Sequence, residues 1–152
     1  MEQYWKDAIF KGLTGVWSFP NPATVLDGVE FDYAGKNAAG LPHTIWQIAN
    51  HLIEWADAAL NEIKNLPVKD FKDTNYFPVE SAPANIKDWE TLQTRFKELP
   101  DKTKAVLESM DETGATSWGL TNTHALLILI THTAYHTAQI VMLQRLLRIY
   151  KE

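Results

Sequence analysis

The stretch Asn122-Thr123-His124-Ala125-Leu126-Leu127-Ile128-Leu129-Ile130-Thr131-His132-Thr133-Ala134-Tyr135-His136-Thr137-Ala138-Gln139-Ile140 places two histidines four positions apart inside an apolar run. Residues i and i+4 stand one turn apart on the same face of a helix. At a helical period that face also carries Ala125, Ile128, Leu129, Gln139, Leu143, Leu146 and Leu147. The spacing therefore predicts a helix whose two imidazoles point into a bundle. Asn122 or Thr123 suits its cap, and the pattern runs to about Tyr150.

Three further helical segments precede it. The first runs from about Glu2 to Val16, with Trp5, Ile9, Leu13 and Val16 at steps of three and four, and Pro20 and Pro22 are expected to stop it. A long irregular stretch through Gly35 and Gly40 to Pro42 follows and is expected to pack over one end of the core. The second begins near Pro42–Thr44, carries an apolar arc from Ile45 through Ile48, Leu52, Ala56 and Leu60 to Ile63, and is expected to end at Pro67. A polar link from Val68 to Pro83 leads to the third, with Trp89, Leu92, Phe96, Leu99, Val106, Leu107 and Met110 in register on both sides of Pro100. One kinked helix accounts for that continuity. Asp111 to Thr121, with Gly114 and Gly119, reads as a loop. No segment alternates as a strand does. The expectation is an all-α four-helix bundle with long connections, formed by residues 1–152 as one domain.

Composition narrows the chemistry. The net charge of -5 and the lack of any Lys/Arg cluster leave no basic footprint for a phosphate backbone, so nucleic acid is not an expected partner. The absence of cysteine excludes disulfides, a catalytic thiol and thiolate ligands, so a transition metal would be held by nitrogen and oxygen. Charges among Glu2, Lys6 and Asp7 stand where a signal peptide is apolar, and the longest aliphatic run, Ala125 to Ile130, is too short to span a bilayer. No membrane partner and a cytoplasmic location are expected.

Two buried imidazoles need partners, because unpaired polar groups are costly to bury. A cation shared between neutral His132 and His136 satisfies both, and hydroxyls, carboxylates or water could do so too. His51 lies at the edge of the second helix's apolar arc, beside Ile48 and Trp55. There it can be a third ligand or a partly exposed histidine, and spacing does not choose. His43 and His124 each precede one of these histidines by eight residues, about 12 Å along a helix, which assigns them helix-start or surface roles. The run His132–His136 lacks the glutamate of the zinc-protease motif, and no Glu-x-x-His occurs. Neither a phosphate-binding glycine loop nor a nucleophile elbow is present, and no catalytic residue is singled out.

A histidine in the second helix followed by His132-Thr133-Ala134-Tyr135-His136-Thr137-Ala138-Gln139-Ile140 in the fourth resembles the DinB-like (DinB/YfiT) superfamily. The stretch Gly40-Leu41-Pro42-His43-Thr44-Ile45-Trp46-Gln47 is similar to one branch of it, and Ala138 stands where many members have glycine. The resemblance implies a four-helix bundle with a divalent cation, zinc or nickel, on His51, His132 and His136, and a homodimer in many members. It further implies a metal-dependent enzyme, a thiol-dependent transferase or isomerase, here an S-transferase acting on small molecules with a low-molecular-weight thiol as co-substrate. An open divalent cation could equally activate water, as in a hydrolase. Gln139 and Glu54 are candidates for contacts to the ligands or substrate, with a solvated surface charge as the other reading of Glu54. The alternative from another class is a non-catalytic, metal-binding or stress-related structural protein.

Overall fold

In the computed structural model, residues 2–16, 18–38, 40–69 and 77–151 are described; part of the expected 68–83 link lies outside them. The described elements are α1 (Glu2–Thr14), a 3-10 turn (Pro22–Thr24), α2 (Phe31–Ala34), α3 (Ile45–Ile63), α4 (Ile86–Ser109) and α5 (Asn122–Leu146). No strand occurs among the described residues; one isolated bridge pairs Ala115 with Thr121. The chain is all-α.

The four long helices match the expected ones, and three of them end earlier for one shared reason. In α1, Gly15 takes φ +74° and Val16 N–H reaches back to Lys11 C=O. In α3, Asn65 (φ 56°) lets Leu66 N–H bond Asn61 C=O, and after α5, Arg148 (φ 60°) lets Ile149 N–H bond Gln144 C=O. Each is a left-handed residue closing the orphan carbonyls of a last turn. The stops are therefore Gly15 and Asn65 rather than Pro20 and Pro67, and α5 ends at Leu146 rather than Tyr150. Pro42 also lies outside α3, because Thr44 is the N-cap, in a reciprocal capping box with Gln47. Thr121 caps α5, accepting from His124 N–H, one residue earlier than expected. Pro100 lies inside a single α4.

α3 packs chiefly on α5 and then on α4, while α1 lies against α4 and α5. The core they share includes Ile45, Leu52, Ala56, Trp89, Phe96, Leu126 and Ile140, all fully buried. The irregular stretch after α1 contributes Val25, Leu26, Val29 and Ala34 to that core. Its carbonyls are satisfied by side chains of the bundle: Gln144 Nε2 donates to Val25 C=O (2.6 Å), Gln93 Nε2 to Leu26 C=O (3.0 Å) and Trp89 Nε1 to Val29 C=O (2.9 Å). A segment without long helices can be buried only when its backbone groups are paired in this way.

α5 is apolar on more than one side. Its inner stripe is Leu126, Leu129, Thr133, His136, Thr137 and Ile140, whereas Ile128 and Leu146, expected on the buried face, are exposed. The buried stripe is rotated from the predicted one, which leaves His132 half-buried at its rim. By length and composition α5 is long and apolar enough to cross a membrane, with a mean hydropathy of 1.4 over its most apolar 18 residues, although its longest aliphatic run is short. A central helix of a bundle meets the same test, and α5 is packed against α3.

Candidate metal centre

Three imidazoles meet where α3 crosses α5. His51 Nε2 lies 3.2 Å from His132 Nε2, which lies 2.9 Å from His136 Nε2. His51 and His136 are 7% and 5% exposed, so His51 is interior rather than a rim residue. Helix geometry accounts for the convergence. His132 and His136 share a face of α5 one turn apart, and α3 supplies the third ring from the opposite wall.

Proton bookkeeping shows what this arrangement lacks. His136 Nδ1 lies 2.7 Å from Gln139 Oε1, a carbonyl oxygen that can only accept. Nδ1 therefore carries the hydrogen and Nε2 presents a lone pair. His132 Nε2 has one hydrogen or one lone pair, yet faces two other Nε2 atoms. It cannot satisfy both. A divalent cation accepts all three lone pairs at once, and nitrogens about 2.0–2.1 Å from one ion sit roughly 3 Å apart. The three residues form a group that could hold a metal ion, and no carboxylate joins it among the described residues.

The surroundings disfavour the charged forms of His132 and His136. Burial, followed by the charges of His136 and His51, pushes His132 down to about 4. Burial also lowers His136, with the bond to Gln139 opposing it and His43 adding to it. Gln139 in turn donates from Nε2 to Tyr135 Oη at 3.0 Å, so the amide that sets the tautomer of His136 is itself oriented.

One expectation about the neighbours needs correction, and Glu54 agrees with its reading as a surface charge: its carboxylate takes Arg95 Nη2 at 3.1 Å and Lys69 Nζ at 3.4 Å, beside the Arg95–Asp57 pair at 2.8 Å. It belongs to a half-exposed ion-pair cluster. The correction concerns His43, which is not up a helix from His51, since the helix begins only after Thr44, whose backbone is extended, and the rise per residue does not apply. Its ring stacks on Phe77 (centroids 3.7 Å, planes 2° apart), and Phe77 stacks on His51 (4.0 Å, 1°). Two rings so close and parallel cannot share one face of a phenyl group, so Phe77 is sandwiched between them. His124 is exposed in the first turn of α5, as its position suggested.

Phe77 is the residue that sequence reasoning missed. It is held there by α3's cap: Thr44 Oγ1 donates to Ser81 C=O (2.6 Å) and Gln47 Nε2 to Pro78 C=O (2.9 Å). The helix start near Thr44 was visible, but nothing in the spacing shows that Thr44 and Gln47 form a capping pair that also anchors a segment more than thirty residues away.

Residues 14–140 match the sequence model of the family described as the DinB superfamily. The chain belongs to the DinB superfamily. No curated protein and no solved structure matches it. For this DinB-superfamily chain the matched span takes in α3, α4 and His51, His132 and His136, together with Gln139.

Proposed function

We propose that His51, His132 and His136 hold a divalent cation, zinc or nickel, and that the protein is a metal-dependent enzyme acting on small molecules, of the thiol S-transferase type. The observation that carries this reading is the convergence of three Nε2 atoms with the tautomer of His136 set by Gln139. Three neutral nitrogen ligands with no fourth protein ligand among the described residues leave coordination positions open, as catalytic sites do and closed structural sites do not. A cation in that position supplies a Lewis acid that lowers the pKa of a bound thiol or water toward neutrality.

The chain's own residues then have separable tasks. His51, His132 and His136 bind; Gln139, backed by Tyr135, keeps His136 in the ligating tautomer; Phe77 fixes the plane of His51. With no cysteine in the sequence, a reacting sulfur has to arrive on a small molecule. Two clefts give access. One of about 280 Å³ is bounded by His43, Ile48, Tyr135, Gln139, Met142 and Leu143, and a second adjoins His132. An open cleft at His132 and another at Gln139, which bonds His136, favour the enzyme over a purely structural metal site. The family resemblance also supports a homodimer as a proposal, and Tyr135, Met142 and Leu146 offer an exposed apolar stripe on α5.

The test is elemental analysis of untagged protein, followed by assay of the loaded protein with a panel of low-molecular-weight thiols and electrophiles. Stoichiometric zinc or nickel that disappears in His51→Ala, His132→Ala and His136→Ala, with activity lost in parallel, is the expected result. Activity that survives removal of all three histidines overturns the proposal.

A further inference from the structure

The second cleft differs from the first in chemistry. It encloses about 260 Å³ between α3, α5 and the loop before α5, and its walls include Trp55, Ala59, Trp118, Ala125, Ile128 and His132. No charged side chain lines it. On α5, Ala125, Ile128, Leu129 and His132 lie at i, i+3, i+4 and i+7, so the cleft runs along the same face that ends in the histidine pair. Ala59 and Ala125 make the space, since larger side chains there would fill it. Trp55 meets Trp118 edge to face (centroids 5.9 Å, 68°) and meets His132 likewise (5.5 Å, 61°).

The loop that carries Trp118 is fastened rather than loose. Glu62, buried on α3, accepts from Ser117 N–H and from Ser117 Oγ, both at 2.7 Å. Hydrogen bonds to a carboxylate are among the stronger ones a protein makes. The indole next to Ser117 is thereby held against the cleft.

We propose that this cleft seats a neutral aromatic ring of the substrate, with the reacting group of that substrate directed past His132 toward the three histidines. The proposal rests on the metal-site reading for its second half only. Size supports it: an apolar cavity of about 150 Å³ is enough for benzene, so the space here takes a ring with a substituent. Chemistry supports it: two indoles and an imidazole offer edges and faces to a π-system, while no charged side chain and almost no polar surface lines the cleft to pair with an anion or a hydroxyl. The other cleft is also mostly apolar but, with His43, Tyr135 and Gln139 in its walls, presents some polar surface that this one lacks.

The neutral fluorophore N-phenyl-1-naphthylamine tests the cleft itself on the full chain, with and without added zinc. Ile128 is 40% exposed at the cleft, so Ile128→Glu places a charge there without opening the core, and Ile128→Trp narrows the space without a charge. Binding in both metal states, weakened about tenfold or more by either variant and unchanged by Met142→Glu in the other cleft, is expected. No binding, or loss in Met142→Glu alone, overturns the proposal. Benzohydroxamate and acetohydroxamate, which share one metal-chelating group, test the direction of the ring. The zinc-loaded chain should prefer the aryl compound about tenfold or more, and Ile128→Glu should erase the preference. Equal affinity for the two overturns the link between cleft and site. If neither hydroxamate binds while the fluorophore does, the fault lies with the metal reading, and the cleft stands.

Discussion

His51 Nε2 and His132 Nε2 lie 3.2 Å apart on different helices, although 81 positions separate them in the chain. A contact between two neutral ring nitrogens this close is poor unless a proton or a cation lies between them, and His132 faces a second such contact with His136. Metal should therefore stabilise the folded state by mass action, by about 4 kcal/mol at a free concentration a thousand times Kd. Chelation of metal-loaded protein should lower Tm, and His132→Ala should remove that difference. An unchanged melting curve after chelation counts against the site.

Gln139 fixes which nitrogen of His136 carries the proton. Gln139→Ala should weaken metal binding about 10- to 100-fold while leaving the fold intact. Competition against a chromogenic chelator reads this directly. His124→Ala, on an exposed side chain, should bind as the parent does.

The metal-free protein should be acid-sensitive in a defined window. His132 has a folded-state pKa near 4, below its ordinary value of 6.5, and His136 is lowered too. Between those values the unfolded chain binds more protons than the folded one, so stability falls as pH drops from 6.5 toward 4. Urea unfolding across that range should show the loss, and His132→Asn should flatten it. With metal present, occupancy should fall over the acid side as protons compete for nitrogen. Occupancy held constant well below pH 5 points to oxygen ligands instead.

The clamp between Glu62 and Ser117 should be worth measuring by itself. Glu62→Ala removes the acceptor for two hydrogen bonds and should destabilise the protein by about 1–3 kcal/mol. Hydrogen exchange at Ser117 should rise with it. Equal protection in parent and variant would show that the loop is held by other contacts.

The left-handed helix ends give opposite signs for glycine. Asn65→Gly and Arg148→Gly should each stabilise by about 0.5–1 kcal/mol, because each position has positive φ without a glycine. Gly15→Ala should destabilise by more than that, since its Cβ would meet Phe19 C=O. Thermal melts of the three variants check the set.

The helices and their order were legible because an apolar face repeats at helical spacing and needs no distant information. Trp89, Leu92, Phe96 and Leu99 before Pro100 and Val106 and Leu107 after it declare α4 on both sides, and His132 and His136 share a face of α5 because backbone geometry makes i and i+4 neighbours. Helix ends were less legible, because a left-handed Asn65 or Arg148 depends on backbone conformation that residue type only weakly biases. His51 could be read either way from spacing, since burial at the edge of an apolar arc depends on what lies opposite. Only the packing of α3 on α5 places it 3.2 Å from His132 and turns Glu54, one turn away, toward Arg95 and Lys69. Phe77 between His43 and His51 and Trp118 beside Trp55 had no local signal at all. Both come from connecting segments whose positions are set by hydrogen bonds to distant helices, Thr44 and Gln47 for one and Glu62 for the other. Local periodicity determines where the helices lie; which face of α5 is buried and which rings meet in the core are properties of the assembled bundle, because they depend on contacts between residues far apart in the chain.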